Sequence, residues 1–286
     1  MRIDFHCHLF PAMDISRMVK ASAAVFEGYG FHERMVKKMQ KIKPSGANNI
    51  MEKTIFHLKN SNIDKVVLLP VNTKENQEVK KWVKFRPDIF IPFYNPPEKS
   101  DNAIDVNDII KRAIVEEGYK GFKIMLTFRK KKLDDQLIYP VLEASHKYKI
   151  PIVMHCGYPP PGTRRNVLTY SNPIYIDSYA SSYPKAKIII THMGYPFTDI
   201  AIALAVQYPN VYLDLSNLAY MMPSRLKELL LQAKEIIGVK KILFGSDGNT
   251  PEMIEIAVDY FDKIAFLSNE DIEKIMGLNG AKLLGF

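Results

Sequence analysis

Short apolar runs rich in β-branched residues recur along the chain at fairly regular intervals, and this recurrence constrains the fold more than any other feature. The runs are RIDFH (2–6), KVVLLP (65–70), IFIPFY (89–94), GFKIML (121–126), PIVMH (151–155), KIIITH (187–192), VYLDL (211–215) and KILFGSD (241–247). Continuous apolar strands bounded by turn signals suit parallel strands covered on both faces. The stretches between them predict helices around 48–61, 74–85, 103–117, 135–149, 171–183, 197–208, 223–237 and 251–264. Eight alternating β and α elements predict an α/β chain closed as a (β/α)8 TIM barrel rather than an open sheet. No Gly-, Ser- or Pro-rich linker splits the chain, so a single domain over 1–286 is expected.

Two connections are longer than a barrel needs: residues 9–47, an insertion after the first strand, and residues 157–170 after the fifth. Both leave the C-terminal ends of strands, the face where barrels build active sites, and long insertions there commonly serve as lids or substrate loops. His32 lies in the first insertion and reads as a surface residue.

The ends of the strands carry the chemistry. The first strand ends at His6 and His8, the fifth at His155, the sixth at His192 and the eighth at Asp247, while Lys123 sits on the fourth. Alternate side chains of a strand share a face, so His6 and His8 are expected to face the barrel axis and Cys7 the surrounding helices. Barrel closure brings these ends together. Several titratable groups buried in one place would be costly without a cation to offset their desolvation. Neutral imidazoles and a carboxylate are ligands for such an ion.

The segments DFHCH, GFK, MHCG, THMG and LFGSD, in this order and with barrel spacing, together with the ending NGAKLLGF, resemble the amidohydrolase superfamily. The resemblance is to its amidohydrolase-related (amidohydrolase 2) branch, which includes aminocarboxymuconate semialdehyde decarboxylase and the resorcylate decarboxylases. It implies His6, His8, His155 and Asp247 as metal ligands, with Asp247 and His192 as the catalytic acid/base groups. A divalent metal, zinc by preference and one per chain, is expected. Lys123 is the open member: in binuclear relatives the equivalent lysine is carbamylated and bridges two metals, whereas here it is expected to orient substrate or to pair with a carboxylate. The reaction implied is hydrolysis of an amide, ester or lactone by activated water, with non-oxidative decarboxylation of an aromatic or unsaturated acid as the alternative.

Arg164 and Arg165 follow His155 in a proline-rich loop and are candidate substrate-binding residues, because arginine grips a carboxylate in bidentate fashion. Arg129 is a weaker candidate of the same kind, and Tyr158, Tyr195 and Asn217 follow strand ends where they could line a pocket. The formal charge of +8 and pI near 9.2 do not gather into a basic stripe with interleaved aromatics. The expectation is therefore a small-molecule substrate, with an anionic one left open, and no nucleic-acid partner. The sequence has no run of about 18 apolar residues and no secretory pattern at its start, so no membrane association and a cytoplasmic setting are expected. A homodimer is conceivable. Cys7 and Cys156 read as small buried hydrophobes, not a disulfide.

Overall fold

The computed structural model describes residues 1–9, 15–98, 105–158 and 167–286. Eight strands follow in chain order: β1 Ile3–Cys7, β2 Lys65–Leu68, β3 Phe90–Pro92, β4 Phe122–Ile124, β5 Pro151–Met154, β6 Lys187–Ile190, β7 Val211–Asp214 and β8 Ile242–Leu243. All pairings are parallel, in a three-stranded sheet β1-β2-β3 and a five-stranded sheet β4 to β8. Single bridges Tyr94↔Phe122 and Cys7↔Gly248 join the two sheets at both seams, so the strands close into a (β/α)8 barrel.

The helices are α1 Ile15–Phe26, α2 Gly30–Met39, α3 Ile50–Asn60, α4 Glu75–Phe85, α5 Val106–Val115, α6 Tyr139–Tyr148, α7 Asp177–Ser182, α8 Thr198–Gln207, α9 Leu218–Met221, α10 Pro223–Ile237, α11 Pro251–Phe261, α12 Asn269–Glu273 and α13 Asn279–Leu284. The helix expected over 171–183 is α-helical only over α7, preceded by the 3-10 turns Leu168–Ser171 and Pro173–Ile176. The proline at 173 and the asparagine cap at 172 favour a short turn there. The first insertion contains the hairpin α1–α2, whose methionines pack on α9 and α11 in a cluster of Met18, Met35, Met39, Tyr220, Met253 and Ile256. His32 is not a surface residue: it is buried inside this hairpin, with Nε2 2.9 Å from the Ser22 hydroxyl.

Strand side chains alternate between two cores. Val66, Leu68, Ile152, Met154 and Leu213 join the layer packed on the helices, while Val67, Leu69, Val153, Ile189 and Leu243 fill the barrel interior. The far end of the interior is plugged by α13, which contributes Ala281 and Leu283. Among the described residues, no helix is long and apolar enough to cross a membrane.

Strand β1 breaks the two-residue period. Ile3 and Phe5 lie in the interior cluster, so strict alternation would send Cys7 inward with them. Instead the register slips between Asp4 and Cys7, where Ile3↔Lys65 and Asp4↔Val66 are followed by Cys7↔Leu68. One extra residue in a strand is a β-bulge, which re-aims the side chains beyond it. Phe5 can therefore fill the barrel while His6 and His8 point to its mouth, and Cys7 joins the helix-facing core. Across the seam, Gly245 supplies the clearance: a Cβ there would stand 2.5 Å from the His6 Cβ.

Candidate metal centre

Each ring at the mouth is fixed by the partner on its other nitrogen. His6 Nδ1 is paired with the Asp214 carboxylate at the end of β7, and the Ser216 hydroxyl lies 3.0 Å from the same nitrogen. His8 Nδ1 stands 2.6 Å from the Leu69 carbonyl, and His192 Nδ1 stands 3.1 Å from the Ser216 carbonyl. A carbonyl or carboxylate can only accept, so each of these nitrogens carries the hydrogen and each Nε2 carries the lone pair of a neutral ring. His155 is turned the other way, with Nε2 donating to the Tyr158 carbonyl at 2.8 Å, which leaves Nδ1 as its lone-pair nitrogen.

Those lone pairs converge. His6 Nε2 and His8 Nε2 are 2.9 Å apart, and each is 3.4 Å from Asp247 Oδ1. Three acceptors facing one another at hydrogen-bond distance repel unless a cation lies among them. Ligands held ~2.0–2.1 Å from a tetrahedral zinc stand roughly 3.3–3.4 Å apart, which the two edges to Asp247 match while the 2.9 Å His6–His8 edge would open slightly around such an ion. His6, His192 and Asp247 also offer atoms that all lie within 4.8 Å of one another. The residues present therefore fit a divalent ion. The Lys123 ammonium, fully buried, lies 3.2 Å from His6 Nε2.

Burial dominates the electrostatics. It holds the imidazoles of His6, His8 and His155 neutral well below their ordinary range, with the neighbouring Lys123 and histidines acting in the same direction. His192 is lowered to about 4 by burial, with the Asp214 carboxylate opposing. Lys123 is brought down to about 8 by burial, against the pull of Asp247 and Asp214. Burial lifts the Asp247 carboxyl to about 7, which the Lys123 charge opposes. A buried site of this composition favours neutral ligands and a poorly stabilised carboxylate, conditions that a dication reverses.

Two of the site residues sit on strained backbone. His192 and Asp247 have φ of 54° and 55°, left-handed values that non-glycine residues adopt at some cost. At β6 this turn is what brings His192 to the mouth, since Ile189 already points inward and strict alternation would present Thr191 instead.

An amidohydrolase family model matches residues 3–286. The chain belongs to the amidohydrolase family. The fluG protein of Emericella nidulans is 32% identical to this amidohydrolase-family chain over 125 residues, 42% of the chain. The match spans only 14% of that relative's length. Among solved structures, a TIM-barrel protein of Bordetella bronchiseptica aligns over 99% of the chain and 98% of its own, with 19% identity and a TM-score of 0.73. The 5-carboxyvanillate decarboxylase of Novosphingobium aromaticivorans, solved with manganese and 4-hydroxy-3-methoxy-5-nitrobenzoic acid, aligns over 100% and 96%, with 16% identity and a TM-score of 0.60. At these identities the likeness is one of fold.

The amidohydrolase chain thus brings His6, His8, Lys123, His192 and Asp247 into one cluster. His155 stands beside it, its ring centroid 5.3 Å from that of His192. Arg164 and Arg165 lie outside the described residues. Arg129 is occupied: its guanidinium donates to the Asn95 side chain and the Pro96 carbonyl at 2.7 Å and lies 3.4 Å from Glu98. Tyr158 and Tyr195 pair at the rim, with ring centroids 5.4 Å apart. Sequence reading missed Asp214, Ser216 and Tyr220. The signal for Asp214 was present, an acidic residue inside the apolar run VYLDL, but it was read as part of the strand and not as chemistry.

Proposed function

We propose that this amidohydrolase-family chain is a metal-dependent hydrolase acting on an amide, ester or lactone of a small molecule, with one zinc ion per chain. The convergence of the His6 and His8 lone pairs on Asp247 Oδ1 carries the reading. His6, His8 and Asp247 hold the ion, and His155 joins them through Nδ1. A dication so held supplies Lewis-acid polarisation of a carbonyl and lowers the pKa of water towards ~7. His192, tied through Nδ1 to Ser216, presents Nε2 to take a proton from the attacking water and return it to the leaving group. Asp247 shares that task. Lys123 orients the substrate, and Arg164 and Arg165 are its candidate carboxylate partners.

Metal analysis of purified protein, followed by a screen of lactones, amides and aromatic acids with detection of carbon dioxide, tests the reading. Hydrolysis without carbon dioxide supports it; release of carbon dioxide replaces it with decarboxylation, the reaction of the manganese-bound structural neighbour. Protein that takes up no divalent ion sinks both. His192→Asn should keep the ion and lose at least ~100-fold in turnover, the usual scale for a general acid/base.

Ion affinity should also depend on pH in a definite direction. The ion binds the ionised form of Asp247, whose carboxyl is raised to about 7. Below that pH a proton must leave first, so affinity should fall by up to about tenfold per pH unit. The histidines, held neutral by burial, do not add to this loss until the solution is well below 6.5. Competition titrations with a chelator between pH 8 and 5 measure the slope, and a flat profile would contradict Asp247 as a ligand.

A further inference from the structure

Beyond Ser216, the turn that leaves β7 has no part in the roles assigned so far, yet the side chains of Asn217 and Tyr220 are turned towards Asp247. Asn217 sits at its first bend with φ 70°, a left-handed conformation that is uncommon outside glycine. Its side chain lies close enough to the Asp247 carboxyl to favour the ionised form. Among the described residues its Oδ1 is buried without a partner, and only the amide hydrogens can serve a carboxylate. Three residues on, the Tyr220 hydroxyl donates towards Asp247 Oδ2 at 3.4 Å and towards the Asp247 carbonyl at 3.3 Å. Oδ1 of the same carboxylate faces His6 and His8.

A carboxylate turns about its terminal torsion with little preference, so nothing intrinsic to Asp247 chooses which oxygen meets the histidines. Donors on one side make that choice. The Tyr220 ring is itself clamped, packed among Met18, Met35, Met39, Met253 and Ile256. Arg34 of α2 closes the clamp with a 2.9 Å bond to the Met221 carbonyl. The insertion hairpin therefore holds the helix whose tyrosine holds the carboxylate.

We propose that Asn217 and Tyr220 are positioning residues that fix the Asp247 carboxylate with Oδ1 towards His6 and His8, an assignment that rests on the reading of Asp247 as an ion ligand. Their partners are the carboxylate and, through Tyr220, the α1–α2 hairpin.

Two substitutions isolate the donors. Asn217→Gly removes the amide while glycine keeps the left-handed backbone, and Tyr220→Phe removes the hydroxyl while the ring keeps its packing. Zinc affinity is measured by competition with a chromophoric chelator, alongside the melting temperature of the zinc-free proteins and an Asp247→Asn control. Each variant should bind zinc about 10-fold more weakly than the parent, the scale for groups that orient a ligand. Zinc-free melting temperatures should stay within a few degrees of the parent. Either variant binding within twofold of the parent, while Asp247→Asn binds far more weakly, overturns the assignment. So does a Tyr220→Phe protein that melts earlier but binds zinc unchanged, since its role would then be packing alone. If Asn217→Gly does not fold, Tyr220→Phe decides. Asp247→Asn with parental affinity instead removes the reading of Asp247 as a ligand, and this assignment with it.

Discussion

Asp247→Ala protein, freed of metal and then offered one equivalent of zinc against a competing chelator, is expected to remain essentially empty, and His6→Ala should match it. A structural zinc contributes roughly 10–16 kcal/mol of apparent binding free energy, so one of four ligands accounts for about 3 kcal/mol, or over 100-fold in affinity. The two should match because His6 Nε2, like Asp247 Oδ1, is a corner of the triangle facing both other ligands. Cys7 provides the contrast on the same strand. Its thiol points away from the mouth, 3.3 Å from the Gly248 carbonyl, within the helix-facing core. Cys7→Ser should thus bind zinc like the parent and show only a modest loss of stability. Elemental analysis and chelator competition on the three proteins check this, and full zinc occupancy in Asp247→Ala or His6→Ala would dismantle the centre as described.

How much of this was legible beforehand depends on which physical scale was being read. The eight strands and most of the barrel helices follow from hydrophobic periodicity, because a parallel strand covered on both faces must be apolar along its length, as in KVVLLP and KIIITH. The hairpin α1–α2 did not announce itself as two helices: its apolar face is built from spaced methionines that bury only against α9 and α11, elements far away in sequence. The same holds for the site. Histidines at strand ends are visible in a sequence, and closure of the barrel makes them neighbours. What aims them is not visible: the bulge at Asp4–Cys7, the left-handed turns at His192 and Asp247, and the carbonyls on Nδ1 of His8 and His192 all arise from tertiary contacts. For His6 and His8 the two-residue period gave the right orientation only because the bulge moved Phe5, and not the histidines, out of phase.

Asp214 is the residue whose loss should be felt in both stability and ion binding. Its carboxylate is fully buried, pairs with His6 Nδ1, and accepts from the Ser216 backbone N–H at 2.5 Å. Burial raises its pKa, while the neighbouring His192, the hydrogen bonds of Ser216 and the Lys123 charge act to keep it ionised. Truncation to alanine would leave the His6 N–H with only the Ser216 hydroxyl as acceptor and the Lys123 ammonium with one buried carboxylate fewer. Breaking a buried charge-paired group from one side costs about 3–5 kcal/mol, because the partner stays desolvated. The His6 ring would also lose the group that fixes its tautomer, and ion affinity should drop a further 10–100-fold, the scale for groups behind a ligand. Asp214→Asn should separate the two effects. Its amide oxygen can still accept from His6 or Ser216, so much of the stability should return, but the charge that makes His6 a stronger ligand does not. Denaturant unfolding of the metal-free proteins measures the first effect and zinc competition the second. An Asp214→Ala protein within about 1 kcal/mol of the parent would mean that the pair makes no net contribution, as holds for many exposed ion pairs. The burial of both partners is the reason to expect otherwise.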